Sequence, residues 1–183
     1  PNRQPASEEA CELCENIVML HEREYLRQKL DGDTYLHSTM EALALFTLAG
    51  GVDMGEEPSA CESLMRSIPE LETVDVPTIT KIRHVLSSSY PNSKGVGSLS
   101  PDLLGEFLCD TLLTTELTTN FVHWIVQNIN LFKDIHFKKS ESPLPLKNAL
   151  DLANRTRHWL PSSRLREKLS ESIQRLPRKL WST

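Results

Sequence analysis

Cys11-Glu12-Leu13-Cys14 is the first grouping along this chain whose residue types could do chemistry. A C-x-x-C pair holds zinc when a second pair supplies two more ligands, and it cycles a disulfide when it opens a helix after a strand. No second pair is present and this one falls inside a predicted helix, so core packing is the reading it supports. His21-Glu22 has the types for proton transfer. Yet His21 falls on the predicted apolar stripe of Ala10, Cys14, Ile17, Val18 and Tyr25, where a core or interface histidine is expected. His84, His123, His136 and His158 lack metal-ligand spacing. The phosphate-cradling pattern G-x-x-x-x-G-K-S/T is absent, as are G-x-G-x-x-G, G-x-S-x-G and H-E-x-x-H. No catalytic, cofactor-binding or metal-binding set is therefore assigned, and no enzyme is expected.

The best-specified element is the helix that opens at Ser100-Pro101-Asp102-Leu103-Leu104-Gly105-Glu106-Phe107-Leu108. Ser100 suits the N-cap and Pro101 the first helical position, where its missing N–H costs nothing. Asp102 and Glu106 bring negative charge to the positive end of the helix dipole. Leu103, Leu104, Phe107, Leu108 and Leu112 recur at helical spacing and are expected to bury one face. Gly105 stands where a helix prefers Ala by about 1 kcal/mol, which suggests close approach of another backbone.

The remaining elements follow from periodicity and punctuation. A leading helix runs from Ser7-Glu8-Glu9 to a stop at Asp31-Gly32-Asp33. A largely buried helix spans about 37–49, closed by Gly50-Gly51. Shorter helices run over 58–68 and from Pro77-Thr78 to Tyr90, the latter with Ile79, Ile82, Leu86 and Tyr90 inward. Residues 92–99 suit a turn or a very short strand pair. A helix capped by Thr118 or Thr119 is predicted to reach Ile129, with Phe121, Val122, Ile125 and Val126 inside. Residues 131–144 read as a linker. Helices over about 145–159 and 162–176 follow, joined at Pro161-Ser162 closely enough to force an antiparallel pair.

Composition bounds the class. The chain has 183 residues, 39% hydrophobic and 25% charged, which suits a folded, soluble protein. No apolar run approaches the roughly 20 residues that span a bilayer. The start at Pro1-Asn2-Arg3 has no signal-peptide core and no initiator Met, as expected for a piece of a longer chain. Cys11, Cys14, Cys61 and Cys109 sit among apolar neighbours and suit free thiols in the cytoplasm. Charge is split: residues 1–132 carry 8 basic and 20 acidic residues, a net −12, whereas 133–183 carry 12 and 5, a net +7. Opposite halves can attract each other, a neighbouring chain or different partners.

Lys81, Arg83 and His84 lie on the helix before a Gly-rich turn, the layout of a helix that reads DNA. The acidic setting opposes phosphate contact, so nucleic acid is not the expected partner. Basic residues such as Arg155, Arg157, Arg164 and Arg166 suit either solvated helix faces or a protein or nucleic-acid contact. Trp124, Trp159 and Trp181 are expected to pack the core.

His21-Glu22-Arg23-Glu24-Tyr25, the helix 41–51, Leu86…Tyr90-Pro91 and Leu99-Ser100-Pro101-Asp102-Leu103-Leu104-Gly105-Glu106 occur in a recognisable order. Over roughly residues 15–115 the chain resembles the region after the nucleotide-binding core of STAND NTPases of the NACHT/AP-ATPase class. There an "HE-R-Y" helix precedes a winged-helix domain whose last helix opens with "L-x-P-D-L-L-G-E", and helical repeats usually follow. The resemblance implies a mainly α fold: a leading helix over 1–36, a winged-helix-like domain with a minimal β wing over 37–130, a linker over 131–144, and an antiparallel, repeat-like basic hairpin over 145–183. It implies a non-catalytic regulatory and protein-interaction role in signalling or defence. The partners would be the nucleotide-binding core or repeats of a parent chain, with no membrane and no cofactor. Ser100, Pro101, Asp102, Leu104, Gly105, Glu106 and Phe107 would build the last winged-helix element, and His21 and Tyr25 would dock the leading helix. A winged-helix transcriptional regulator and a stand-alone helical adaptor or effector fragment are the alternatives.

Overall fold

The computed structural model describes residues 8–53, 58–92, 95–99, 102–128 and 144–176. The chain is mainly helical. Helical backbone runs unbroken through α1 (Glu8–Glu15), a π-helical stretch (Asn16–Glu22) and α2 (Arg23–Leu30). An α-helix drifts by about 40° over each four-residue step. The wider π turn, bonded i→i+5, turns less per residue. It keeps Cys14, Val18, Glu22 and Leu26 on the inner side, with Val18 and Leu26 fully buried. This register corrects the expected stripe: His21 and Tyr25 turn outward. Asp31 ends the rod in the left-handed region, at φ 61°.

α3 (Leu36–Ala49) is the centre of the core. Every residue of it except His37 is buried, as befits a helix that is apolar on nearly all sides. It packs against α2, α4 (Pro58–Met65), α5 (Val76–Ser89), α6 (Asp102–Leu112) and α8 (Leu144–Trp159). Gly50 closes α3 at φ 81°, a conformation that side chains strain to adopt. A 3-10 turn, Pro69–Leu71, leads toward α5. There Asp75, not the Pro77-Thr78 step, is the cap: its carboxylate accepts from the Thr78 N–H at 3.2 Å.

The expected strand pair within 92–99 has a different partner. β1 (Val52–Asp53) pairs antiparallel with β2 (Gly95–Val96), Val52 opposite Val96, while only a Pro91–Val96 bridge is local. β1 directly follows the glycines that close α3, so the ladder holds the end of α3 beside the start of α6.

Thr114 caps α7 (Thr115–Gln127), its hydroxyl accepting from the Leu117 N–H at 3.1 Å. The predicted caps Thr118 and Thr119 therefore lie inside the helix. The Thr118 hydroxyl lies 2.9 Å from the Ser172 hydroxyl of α9 (Leu165–Gln174). α8 and α9 pack on one another, and α9 also packs on α7. One hydrophobic cluster runs from Val18 through α3 to Leu169 and Leu176. Ser100, Pro101, Ile129, His136, Trp181 and residues 129–143 of the linker region lie outside the described residues.

Leu108, Cys109 and Leu112 of α6 are buried, Leu104 and Phe107 are half-buried against the core, and Leu103 is 40% exposed, outside the stripe expected for it. A Cβ on Gly105 would stand 2.8 Å from the Leu99 carbonyl oxygen and 2.8 Å from Thr47 Cγ2. The close backbone approach inferred from that glycine is present. Helix propensity alone makes Gly105→Ala stabilising by about 1 kcal/mol. The clash with a backbone oxygen reverses the sign, so thermal unfolding of Gly105→Ala is expected at a lower temperature than wild type, and a raised Tm would contradict the packing.

Candidate functional site

Glu106 is the most unusual residue among those described: a carboxylate with 0% exposure in the middle of α6. An ionised carboxylate without partners is costly in such a place. Arg155 Nε donates to Glu106 Oε1 at 2.8 Å, and the Trp159 indole N–H donates to Glu106 Oε2. Arg155 and Trp159 are four residues apart on α8, so one helix face delivers both donors. Trp159 is itself buried. Glu106 thus joins α6 to α8 and is more than an acid near a helix start.

Further polar bonds continue this seam. Ser163 Oγ donates to Asp110 Oδ1 at 2.6 Å, Lys168 Nζ to the Leu113 carbonyl at 2.7 Å, and Asn148 Nδ2 to the Ala49 carbonyl at 2.8 Å. The last bond meets the turn at Gly50, where a Cβ would come within 2.3 Å of Asn148 Nδ2. Arg155 is raised above its ordinary pKa, first by its bond to Glu106 and then by that carboxylate's charge and those of Asp102 and Asp151. Beside the node lies a cleft of about 220 Å³. Gly50, Ser98, Asp102, Asn148, Asp151 and Arg155 are among its lining residues.

The leading helix docks through Glu22, the neighbour of the His21 expected to dock it. Tyr90 Oη donates to Glu22 Oε2, joining the π-helical stretch to the end of α5. Burial, and then Glu22, push the Tyr90 phenol well above its usual range. His21 is exposed, and Tyr25 is 41% exposed with Lys29 Nζ 5.5 Å from its ring centre. Neither makes the bond itself, although Tyr25 stands near enough to raise the Tyr90 phenol further. The four-residue spacing of Cys14, Val18, Glu22 and Leu26 was the available signal, hidden because a regular α-helix would not keep it on one face.

Other reactive types sit in structural settings. Cys61 is pushed up to about 11 by burial, and burial raises Cys14 and Cys109 as well. All four cysteines are free thiols. Cys109 Sγ donates to the Ala44 carbonyl across the α3–α6 contact. Glu41 is 7% exposed, with Oε1 3.4 Å from His37 Nε2, and burial raises its carboxyl. Among the described residues no three His, Cys, Asp or Glu side chains gather as metal ligands. No described helix is long and apolar enough to cross a membrane. Comparison with protein-family models, with curated proteins and with solved structures gives no match.

Removing the Glu106 carboxylate leaves two α8 donors facing a void. Glu106→Ala is expected to lose on the order of 3 kcal/mol in urea unfolding, whereas Asp151→Ala at the exposed rim stays within about 0.5 kcal/mol. A Glu106→Ala loss below about 1 kcal/mol would mean that the node is not closed in solution.

Proposed function

We propose that this chain is a non-catalytic regulatory and protein-interaction module of a STAND-type signalling or defence ATPase. It works in the cytoplasm on a nucleotide-binding core outside these 183 residues. One observation carries the reading: the order α3, β1, α4, α5, β2, α6, with β1 paired to β2. That helix–strand–helix–helix–strand–helix series, with two residues per strand, supports a winged-helix-like domain of minimal β content. Support comes too from the phrase at 101–106. Gly105 and Glu106 have packing duties, and a phrase with structural duties marks a module, not a reaction.

In this reading the leading rod and α5 move together, because Glu22 and Tyr90 bond them. α6 and α8 move together through Glu106. A push on the rod or on α9 is passed to the α3 core, which is the property a regulatory coupling element needs. The basic hairpin α8–α9 is the first unit of a repeat-like array. The transcription-factor reading is weaker: on α5 the Lys81 ammonium is held by Asp31 Oδ2 and the Leu30 carbonyl, each at 3.0 Å, and is not offered to phosphate.

Calorimetric titration of the isolated chain with ATP and ADP is the test. No binding is expected at concentrations up to about 1 mM, and micromolar affinity would overturn the assignment of nucleotide chemistry elsewhere. Salt-dependent binding to duplex DNA at low ionic strength would overturn it in favour of a transcriptional regulator. The reading also expects a G-x-x-x-x-G-K-S/T motif encoded upstream in the same frame; a stop codon there with no such motif would contradict it.

A further inference from the structure

The cleft beside Glu106 has a chemistry that the regulatory reading does not use. We propose that it binds the headgroup of a small free α-amino acid, with Arg155 taking the carboxylate and Asp102 and Asp151 the ammonium.

Arg155 lies on the cleft wall, and its Nε is already engaged by the buried Glu106. That bond fixes the guanidinium from behind, and among the described residues the Nη groups have no hydrogen-bond partner, which leaves them as the part to meet a ligand. A planar guanidinium edge matches a carboxylate with two parallel N–H···O bonds. Side-chain exposure of 46% keeps this edge within reach of solvent. Asp102, from the start of α6, and Asp151, one turn before Arg155 on α8, are exposed carboxylates lining the same cleft, and both act on the Arg155 charge.

The mixed signs select the ligand. A simple anion would meet Arg155 but be repelled by two carboxylates, and a simple cation would meet the carboxylates but leave the Arg155 Nη edge unmatched. An α-amino acid carries both charges on one carbon and satisfies both walls at once. Ser98 and Asn148 add polar groups to the lining. A volume of about 220 Å³ is below the roughly 300–1,000 Å³ of drug-sized pockets, which restricts the site to a small ligand. The inference is independent of the regulatory reading and stands or falls on its own test.

Amide NMR of the full chain, titrated with glycine and L-alanine, reads the site directly. Acetate and methylammonium serve as the single-charge halves. Saturable shifts at Ser98, Asp102, Asn148 and Asp151 are expected, with an apparent Kd of about 1 mM for an amino acid and at least about tenfold weaker binding of either half. Asp151→Asn should weaken the amino acid about tenfold with Tm unchanged; Arg155→Lys should weaken it at least as much by removing the two-pronged edge, with a lowered Tm because the Nε bond to Glu106 is lost as well. The proposal is overturned by an absence of saturable shifts up to about 50 mM, by acetate or methylammonium binding as tightly as glycine, or by undiminished binding in Asp151→Asn.

Discussion

A carboxylate with no exposure to water sits at the joint between α6 and α8. Burying that charge is worthwhile only if its oxygens are met, and the Arg155 guanidinium and Trp159 indole meet one oxygen each. The need fixes the register of α8, because only residues one turn apart can reach both oxygens from one side. Asn148, further back on α8, then falls on the Ala49 carbonyl at the end of α3. Ser163 and Lys168, beyond the turn, fall on Asp110 and the Leu113 carbonyl. An apolar interface alone would accept several slid arrangements of α8 and α9. The directional bonds select one.

α3 carries the other half of the design. Apolar on almost every side, it can only be a central helix, and its neighbours arrange themselves around it. Gly105 lets α6 come close enough for the Leu99 carbonyl and Thr47 to touch its backbone surface. Thr47 then accepts the Leu99 N–H at 3.0 Å, so the segment before α6 is tied to α3 from within the core. The β1–β2 ladder ties the same region from outside. Tight packing at Gly105 and polar closure at Glu106, adjacent in sequence, act on opposite partners of α6.

Much of this was legible in the residues. Helical periodicity gave the elements, proline and glycine their ends, and Gly105 its close contact. Where sequence reading missed, the cause was physical. Glu106 looked like an ordinary acid near a helix start, because nothing local reveals that an arginine and a tryptophan some fifty positions on will enclose it. His21 and Tyr25 were turned inward on paper by α-helical geometry, and a π-helical stretch turns them out and Glu22 in. β2 found its partner in β1, across two intervening helices, because a local hairpin would leave Val52 without a ladder. The caps Asp75 and Thr114 each lie earlier than expected, since the residue that best accepts a free N–H outranks the first apolar position.

The central claim is that the Glu106 joint makes α6 and the α8–α9 hairpin one cooperative unit. Native-state hydrogen exchange on Trp159→Phe tests it most directly, because that change removes a single indole N–H and keeps most of the ring's packing. The account predicts that amides of α6, α8 and α9 all exchange faster, and by a similar factor. Acceleration confined to α8 and α9, with α6 amides unchanged, would contradict it.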